Sequence, residues 1–476
     1  MPVATLTDSQ RVLILHAGGL GDLVLSMPAL ASLRAALDGR RVTLCCRSDF
    51  AHLTDLWPFA FERLIEIDFD PYMTSPLDAN RSGRLDDVLQ AAREEAPDTL
   101  LSLELAPTWL TPILAALTRP RMSLARKHES LPPARLSSAL ELLGLSSFAY
   151  DTYDAPDNRQ EAIRYASILE ILGVPAVTAG VNPCDDDRKA AEALLGAHAL
   201  QGRDLLGCFP LGNPHVLLKH WPLDRHVAAI STVAGRHHLM PLLFGNETER
   251  DSLQGVAARL RHAGSDSIVF AGNRESWGTT AALLARCSAF FGNDTGLAHL
   301  AAALGTPGVT VYGGGTWPSF EPWASGTIGI VNPLPCFGCG WDCAFASALC
   351  LEAIEIADSV EALERALSGA CGPKIVALQR RSQAELDTIA SASSTYRVAQ
   401  ADRRRRYDVI LDLQERLLRT HRVATLRRDL LLDAERRRSQ DDAERSAEIA
   451  ALKAEIKRLH RELDSLSPGN RRDAGG

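Results

Sequence analysis

Apolar residues fall along this chain in short unbroken runs, spaced by longer amphipathic stretches. Arg11–His16 (RVLILH) and residues 41–46 (RVTLCC), 64–67 and 99–103 are such runs. Short continuous apolar runs predict strands buried on both faces, as in a parallel sheet. The turn AGGLGD follows the first run, and a helix is predicted over residues 23–37. Residues 159–172 (RQEAIRYASILEIL) read as a helix stopped by Gly173 and Pro175. The rhythm restarts near Asp185 with the helical DRKAAEALLGAHAL. Strands at Leu205–Phe209, 239–244 (LMPLLF) and 267–271 (SIVFA) follow, then a helix around 279–286. Strands alternating with helices predict doubly wound α/β domains. Two such domains create a cleft, a usual place for a ligand.

The most informative run is FFGNDTGLAHLAAALGTPGVTVYGGG, residues 290–315. It reads as strand, turn, helix and strand. Asn293, Asp294, Thr295 and Gly296 make the turn, residues 297–304 the helix and 309–312 the next strand. Such a turn leaves backbone N–H groups unpaired at the helix start, where the helix dipole adds positive charge. That combination favours a phosphate or diphosphate. An ordinary capped helix between two strands fits the same pattern equally well.

The predicted organisation has three parts: two α/β domains over residues 1–183 and 184–375, and a helical tail over 376–476. Glycine and proline are absent between Ile375 and Ser467, which predicts a long helix. Ile449, Leu452, Ile456, Leu459, Leu463 and Leu466 form a heptad seam. Ile410, Leu413, Leu417 and Leu431 lie in another phase, as across a stutter. Self-association as a homo-oligomer is favoured over a helix folded back on the domain. Basic clusters at 403–406 and 436–438 read first as solvated helix faces, and second as contacts to anionic lipid.

The chain has 476 residues, 46% hydrophobic and 23% charged, with a net charge of −8, so it is no general nucleic-acid binder. No apolar stretch is long enough to span a bilayer, and MPVATLTDSQ lacks the regions of a signal peptide. The expected location is cytoplasmic, with peripheral contact at the inner membrane left open. Four of the ten cysteines, Cys336, Cys339, Cys343 and Cys350, share one short segment. Four thiolates can hold zinc or iron; reduced thiols or a disulfide are the alternatives. The remaining six read as small buried hydrophobes.

Three segments together resemble the glycosyltransferase family 9 heptosyltransferases: residues 290–315, AGGLGD at 17–22, and Lys219-His220-Trp221-Pro222. The similarity spans residues 11–367 and is strongest in DTGLAHLAAALGTP. It implies a GT-B fold of two Rossmann-like domains, the first holding the acceptor and the second the nucleotide sugar. It implies transfer of heptose from ADP-heptose to lipopolysaccharide core, with no catalytic cofactor. Relatives that glycosylate proteins form large oligomers, and some carry a metal on a similar cysteine cluster. Two departures stand out: His16 takes the place of the usual Arg, and residues 211–218 are largely apolar.

Sugar transfer from a nucleotide diphosphate needs a base, compensation for charge on the leaving diphosphate, and exclusion of water. Asp22, after the acceptor-side loop of Gly18, Gly19 and Gly21, is the candidate base; the resemblance places the family's catalytic Asp here. An aspartate is ionised at neutral pH and can accept a proton. It is also a good helix cap. Lys219 is the candidate diphosphate ligand. Amides of Thr295, Gly296 and Leu297 are set to meet the diphosphate. Asp294 would repel phosphates, so it accepts from sugar hydroxyls or fixes the turn. His299 is a packed core histidine by its surroundings; the resemblance makes it turn-organising or site-lining. Glu249 is the candidate ribose or base partner, with Glu247 its rival. Gly313, Gly314, Gly315 and Thr316 close a further strand, where a backbone can approach a ligand.

The expected activity is an inverting glycosyltransferase acting on a lipopolysaccharide-type or other glycan or protein acceptor. The rival from a different class is an inactive nucleotide-sugar-binding scaffold assembled through its tail. A third reading is a nucleotide-sugar epimerase on the same fold. No P-loop motif is present, and Gly18-Gly19-Leu20-Gly21 lacks the full dinucleotide fingerprint.

Overall fold

The computed structural model describes residues 6–127, 140, 143–146, 148–154, 160–212, 216–315, 317–321, 326–370, 374–402, 453–455 and 457–458. It divides into two units: residues 1–131 with 139–397, and residues 132–138 with 398–476. The predicted heptad seam and both basic clusters lie outside the described residues.

The first unit holds two parallel sheets. The first consists of β1 (Arg11–His16), β2 (Arg41–Arg47), β3 (Arg63–Ile67), β4 (Thr99–Ser102), β5 (Met122–Arg126) and β6 (Asp151–Tyr153), in the order β3-β2-β1-β4-β5-β6. The second consists of β7 (Leu205–Phe209), β8 (Met240–Asn246), β9 (Ile268–Gly272), β10 (Cys287–Asn293), β11 (Gly308–Tyr312), β12 (Thr327–Val331) and β13 (Ile375–Ala377), in the order β13-β12-β11-β10-β7-β8-β9. The central strands are buried along almost their whole length, as both-face covering by helices demands.

In each sheet, successive connections leave a central strand in opposite directions. β1 lies between β2 and β4, and β7 lies between β8 and β10. The loops after such a pair diverge and open a crevice at the strands' carboxyl ends. In the first sheet the loop after β1 carries residues 17–22. In the second, the loop after β7 carries Lys219 and the exit of β10 carries Asp294.

Most predicted elements stand, with shifted ends. The first long helix, Leu20–Ala36, begins earlier than expected because Gly19 is its N-cap and donates its N–H to Asp22 Oδ2 at 2.9 Å. The Glu161–Leu172 helix stops where predicted, at Gly173 in left-handed conformation (φ 65°). Asn293 belongs to β10 and not to the following turn, because it pairs in register with Val311. Ile375–Ala377 pairs with β12 as an edge strand, so the second sheet reaches into the start of the predicted tail.

One apolar cluster takes in residues of both sheets and their helices, among them Ile14, Leu23, Met27, Leu205, Phe290, Leu297 and Leu300. The seam between the two halves is a shared core. It is tied at its edges by Glu161 N–H to Ser319 O (2.7 Å) and Trp277 Nε1–H to Asp49 O (2.8 Å).

Candidate active site

The predicted donor and base segments meet directly. A Cβ at Gly21 would stand 2.9 Å from His299 Cδ2, so only glycine lets the AGGLGD turn lie against the Gly296–Ala303 helix. His299 Nε2 is 3.8 Å from Asp294 Oδ1, and Asp294 Oδ2 is 3.4 Å from Lys219 Nζ. A continuous chain of side chains thus runs from the Asp22 loop to Lys219. Burial pushes the Asp294 carboxyl up, but Lys219 and His299 outweigh it and hold Asp294 below the usual carboxylate range. It is a permanent anion that anchors the lysine.

Several polar atoms here are buried without a hydrogen-bond partner among the described residues: Asp22 Oδ1, Thr295 Oγ1, His299 Nδ1 and both ring nitrogens of His16. Buried polar groups are ordinarily paired, so a cluster of orphans marks where a polar ligand fits. Asp22 serves both predicted roles. Oδ2 caps the helix while Oδ1 is free to take a proton. Thr295 is the N-cap residue of Gly296–Ala303, yet its hydroxyl makes no capping bond. The first-turn N–H groups therefore lack a side-chain acceptor, as an anion site requires. His16 is fully buried and packs 5.8 Å from the Tyr165 ring. Burial lowers its pKa against the opposing pull of Asp22.

Glu249 stands apart from this group. Its carboxylate accepts the Asn246 N–H at 2.9 Å, capping its own turn. No hydrogen bond or ion pair joins it to Lys219, Asp294 or His299 among the described residues. Glu247 is paired with Arg250 at 2.6 Å.

The four cysteines are the candidate ligands of a structural metal. Among the described residues no group of three or more His, Cys, Asp or Glu is placed to hold a metal ion. Cys336, Cys339, Cys343 and Cys350 are free thiols. The Cys350 Sγ instead accepts the Gly314 N–H at 3.4 Å, and Cys343 Sγ lies 3.8 Å from Ser347 O. Burial pushes the Cys339 and Cys350 thiols up to about 11, and the neighbouring cysteines add to the shift.

Four further residues shape the site through contacts that the sequence pattern does not show. Asn293 Nδ2 donates to Pro210 O (3.0 Å) and Leu211 O (3.1 Å), while its Oδ1 accepts from Trp221 N–H and His226 Nε2, both at 3.1 Å. It clamps the lysine-bearing loop to β10. His226 is buried beside Trp221 and Phe291, and burial lowers its pKa to about 4. Glu104, past the end of β4, is buried and accepts from Thr108 N–H (3.0 Å) and the Thr108 hydroxyl (2.8 Å), ordering the neighbouring switch-point loop. Trp341 lies over Lys219, with Nζ 5.4 Å from its ring.

The paired parallel sheets are those of a GT-B-like fold, and at their seam lie a carboxylate with a spare oxygen and a lysine beside an uncapped helix start. Residues 163–340 match the profile of glycosyltransferase family 9 (heptosyltransferase). The chain is 26% identical over 335 residues to lipopolysaccharide heptosyltransferase 1 of Pseudomonas aeruginosa, across 69% of this chain and 86% of that protein. It superposes on the glycosyl transferase family 9 structure from Veillonella parvula with a TM-score of 0.60 at 21% identity, covering 76% of this chain and 98% of that one. The E. coli ADP-heptose lps heptosyltransferase II structure matches with a TM-score of 0.57 at 16% identity, covering 75% and 99%. Over residues 163–340 the chain is similar to glycosyltransferase family 9.

Proposed function

We propose that this enzyme transfers heptose from ADP-heptose, with inversion, to a lipopolysaccharide-type acceptor in the cytoplasm. The donor and acceptor classes are those in the names of the relatives above. The observation that carries the chemistry is the orphaned Asp22 Oδ1, set beside the chain from His299 through Asp294 to Lys219.

In this mechanism the acceptor hydroxyl gives its proton to Asp22 Oδ1 as its oxygen bonds to the anomeric carbon. The bond from that carbon to the diphosphate oxygen breaks, and its electron pair leaves with ADP. Lys219 and the N–H groups at the start of Gly296–Ala303 meet the charge that develops. A single displacement inverts the anomeric centre. His299 and Asp294 hold Lys219 and the turn in register, and no bound cofactor enters the step.

Asp22→Asn keeps the shape and a polar cap but loses the base. The expected result is a fall in kcat of about 10²- to 10⁴-fold. ADP should still raise the melting temperature, because bound ligand stabilises by mass action. Unchanged turnover in Asp22→Asn would remove the proposed base.

A further inference from the structure

The segment that carries the four thiols lies along the exit of β11, next to Lys219. Gly338 N–H donates to Gly314 O at 2.8 Å, and Gly340 N–H donates to Gly315 O at 2.9 Å. A Cβ at Gly315 would stand 2.5 Å from Trp341 Cδ1, so the glycine is what admits the indole. Trp341 sits between Cys339 and Cys343 in a left-handed conformation (φ 67°) that a bulky side chain rarely adopts. Such a conformation persists only where the surroundings over-determine it. They do so here: the next residue, Asp342, accepts the Tyr396 hydroxyl at 2.8 Å, and Arg397 donates to Cys336 O at 3.1 Å.

Despite this anchoring, Trp341 remains 39% exposed. Its ring lies 5.4 Å from Lys219 Nζ, and the Phe320 ring lies 5.8 Å from the same nitrogen. The two rings are 6.2 Å apart. Lys219 therefore ends between two aromatic faces and one carboxylate, Asp294. Cations are attracted to aromatic faces, most strongly to tryptophan and in sites sheltered from water.

We propose that Trp341 is a positioning residue of the donor site, holding the Lys219 ammonium by a cation–π contact so that it faces the donor's diphosphate. This rests on the reading of Lys219 as the diphosphate ligand. The cysteine-rich segment thereby gains a structural role, because its fold delivers the indole to the lysine.

The test is a double-mutant cycle on ADP affinity, measured by calorimetry with the full chain. Trp341→Leu fills the space without an aromatic face and should weaken ADP about fivefold to tenfold, whereas Trp341→Phe should lose no more than about threefold. In a Lys219→Met background, Trp341→Leu should leave ADP affinity unchanged, because the partner is gone. Equal weakening in both backgrounds, or ADP affinity in Trp341→Leu equal to the parent's, would overturn the proposal while the function stands. Unaltered ADP affinity in Lys219→Met, or no ADP binding by the parent protein, would sink the functional reading itself.

Discussion

At the scale of the residue, individual side chains in this site serve two purposes at once. Asp22 caps with one oxygen and keeps the other orphaned. Asn293 uses its whole amide, two donations and two acceptances, to fasten the lysine loop. Because its Nδ2 faces two carbonyls, its Oδ1 faces His226, and the His226 Nε2 carries the hydrogen. His226 is therefore a neutral donor. Its pKa of about 4 in the fold, against 6.5 as the ordinary value, makes stability depend on pH. Below pH 6.5 the unfolded chain binds a proton that the folded chain refuses. Stability is full above that pH and falls as pH drops toward 4, by about 3 kcal/mol from this residue. His226→Gln keeps a donor near the Nε2 position and does not titrate. Urea melts at pH 7.5 and 4.5 should show a smaller difference for this variant than for the parent; an identical difference would exclude His226 as a source.

At the scale of the element, the site depends on close approach between two helix starts. The Leu20–Ala36 and Gly296–Ala303 helices meet where Gly21 faces His299. Gly21→Ala places a methyl 2.9 Å from a ring that is itself buried, so one helix start must shift. The proposed base lies one residue further on. We expect turnover to fall tenfold or more, since a displacement of about 1 Å costs about 10²-fold in well-aligned sites. Far-UV circular dichroism should be unchanged. Full turnover in Gly21→Ala would show that the seam has slack. Elements are legible from sequence to the extent that burial is periodic. β1 and β7 read directly, since buried parallel strands are continuous apolar runs. β13 is only three residues and straddles the predicted boundary: Val376 and Ala377 read as tail in the sequence, and the pairing with β12 makes the segment a strand. Asn293 reads as turn for the same reason: ladder pairing, not composition, keeps it in β10.

At the scale of the whole molecule, the two sheets share a core, so the site at their seam is built into the fold. We propose that the tail beyond the described residues drives self-association through its heptad seam. Deletion from Arg403 onward should lower the mass in light scattering by more than the deleted residues, with ADP binding retained; a loss of only the deleted mass would refute this.

The strand–helix rhythm, the existence of two α/β halves and the phosphate-type turn at Asp294, Thr295 and Gly296 all follow from local pattern, because burial and capping leave marks at short range. Which polar groups converge is a different matter. Lys219 reaches Asp294 because β7 and β10 are neighbours at a switch point, and Trp341 reaches Lys219 because the cysteine-rich segment lies along β11. The same packing turns Glu249 onto its own turn. Strand order and seam packing are set by contacts between residues far apart in the chain, and no short-range pattern encodes them.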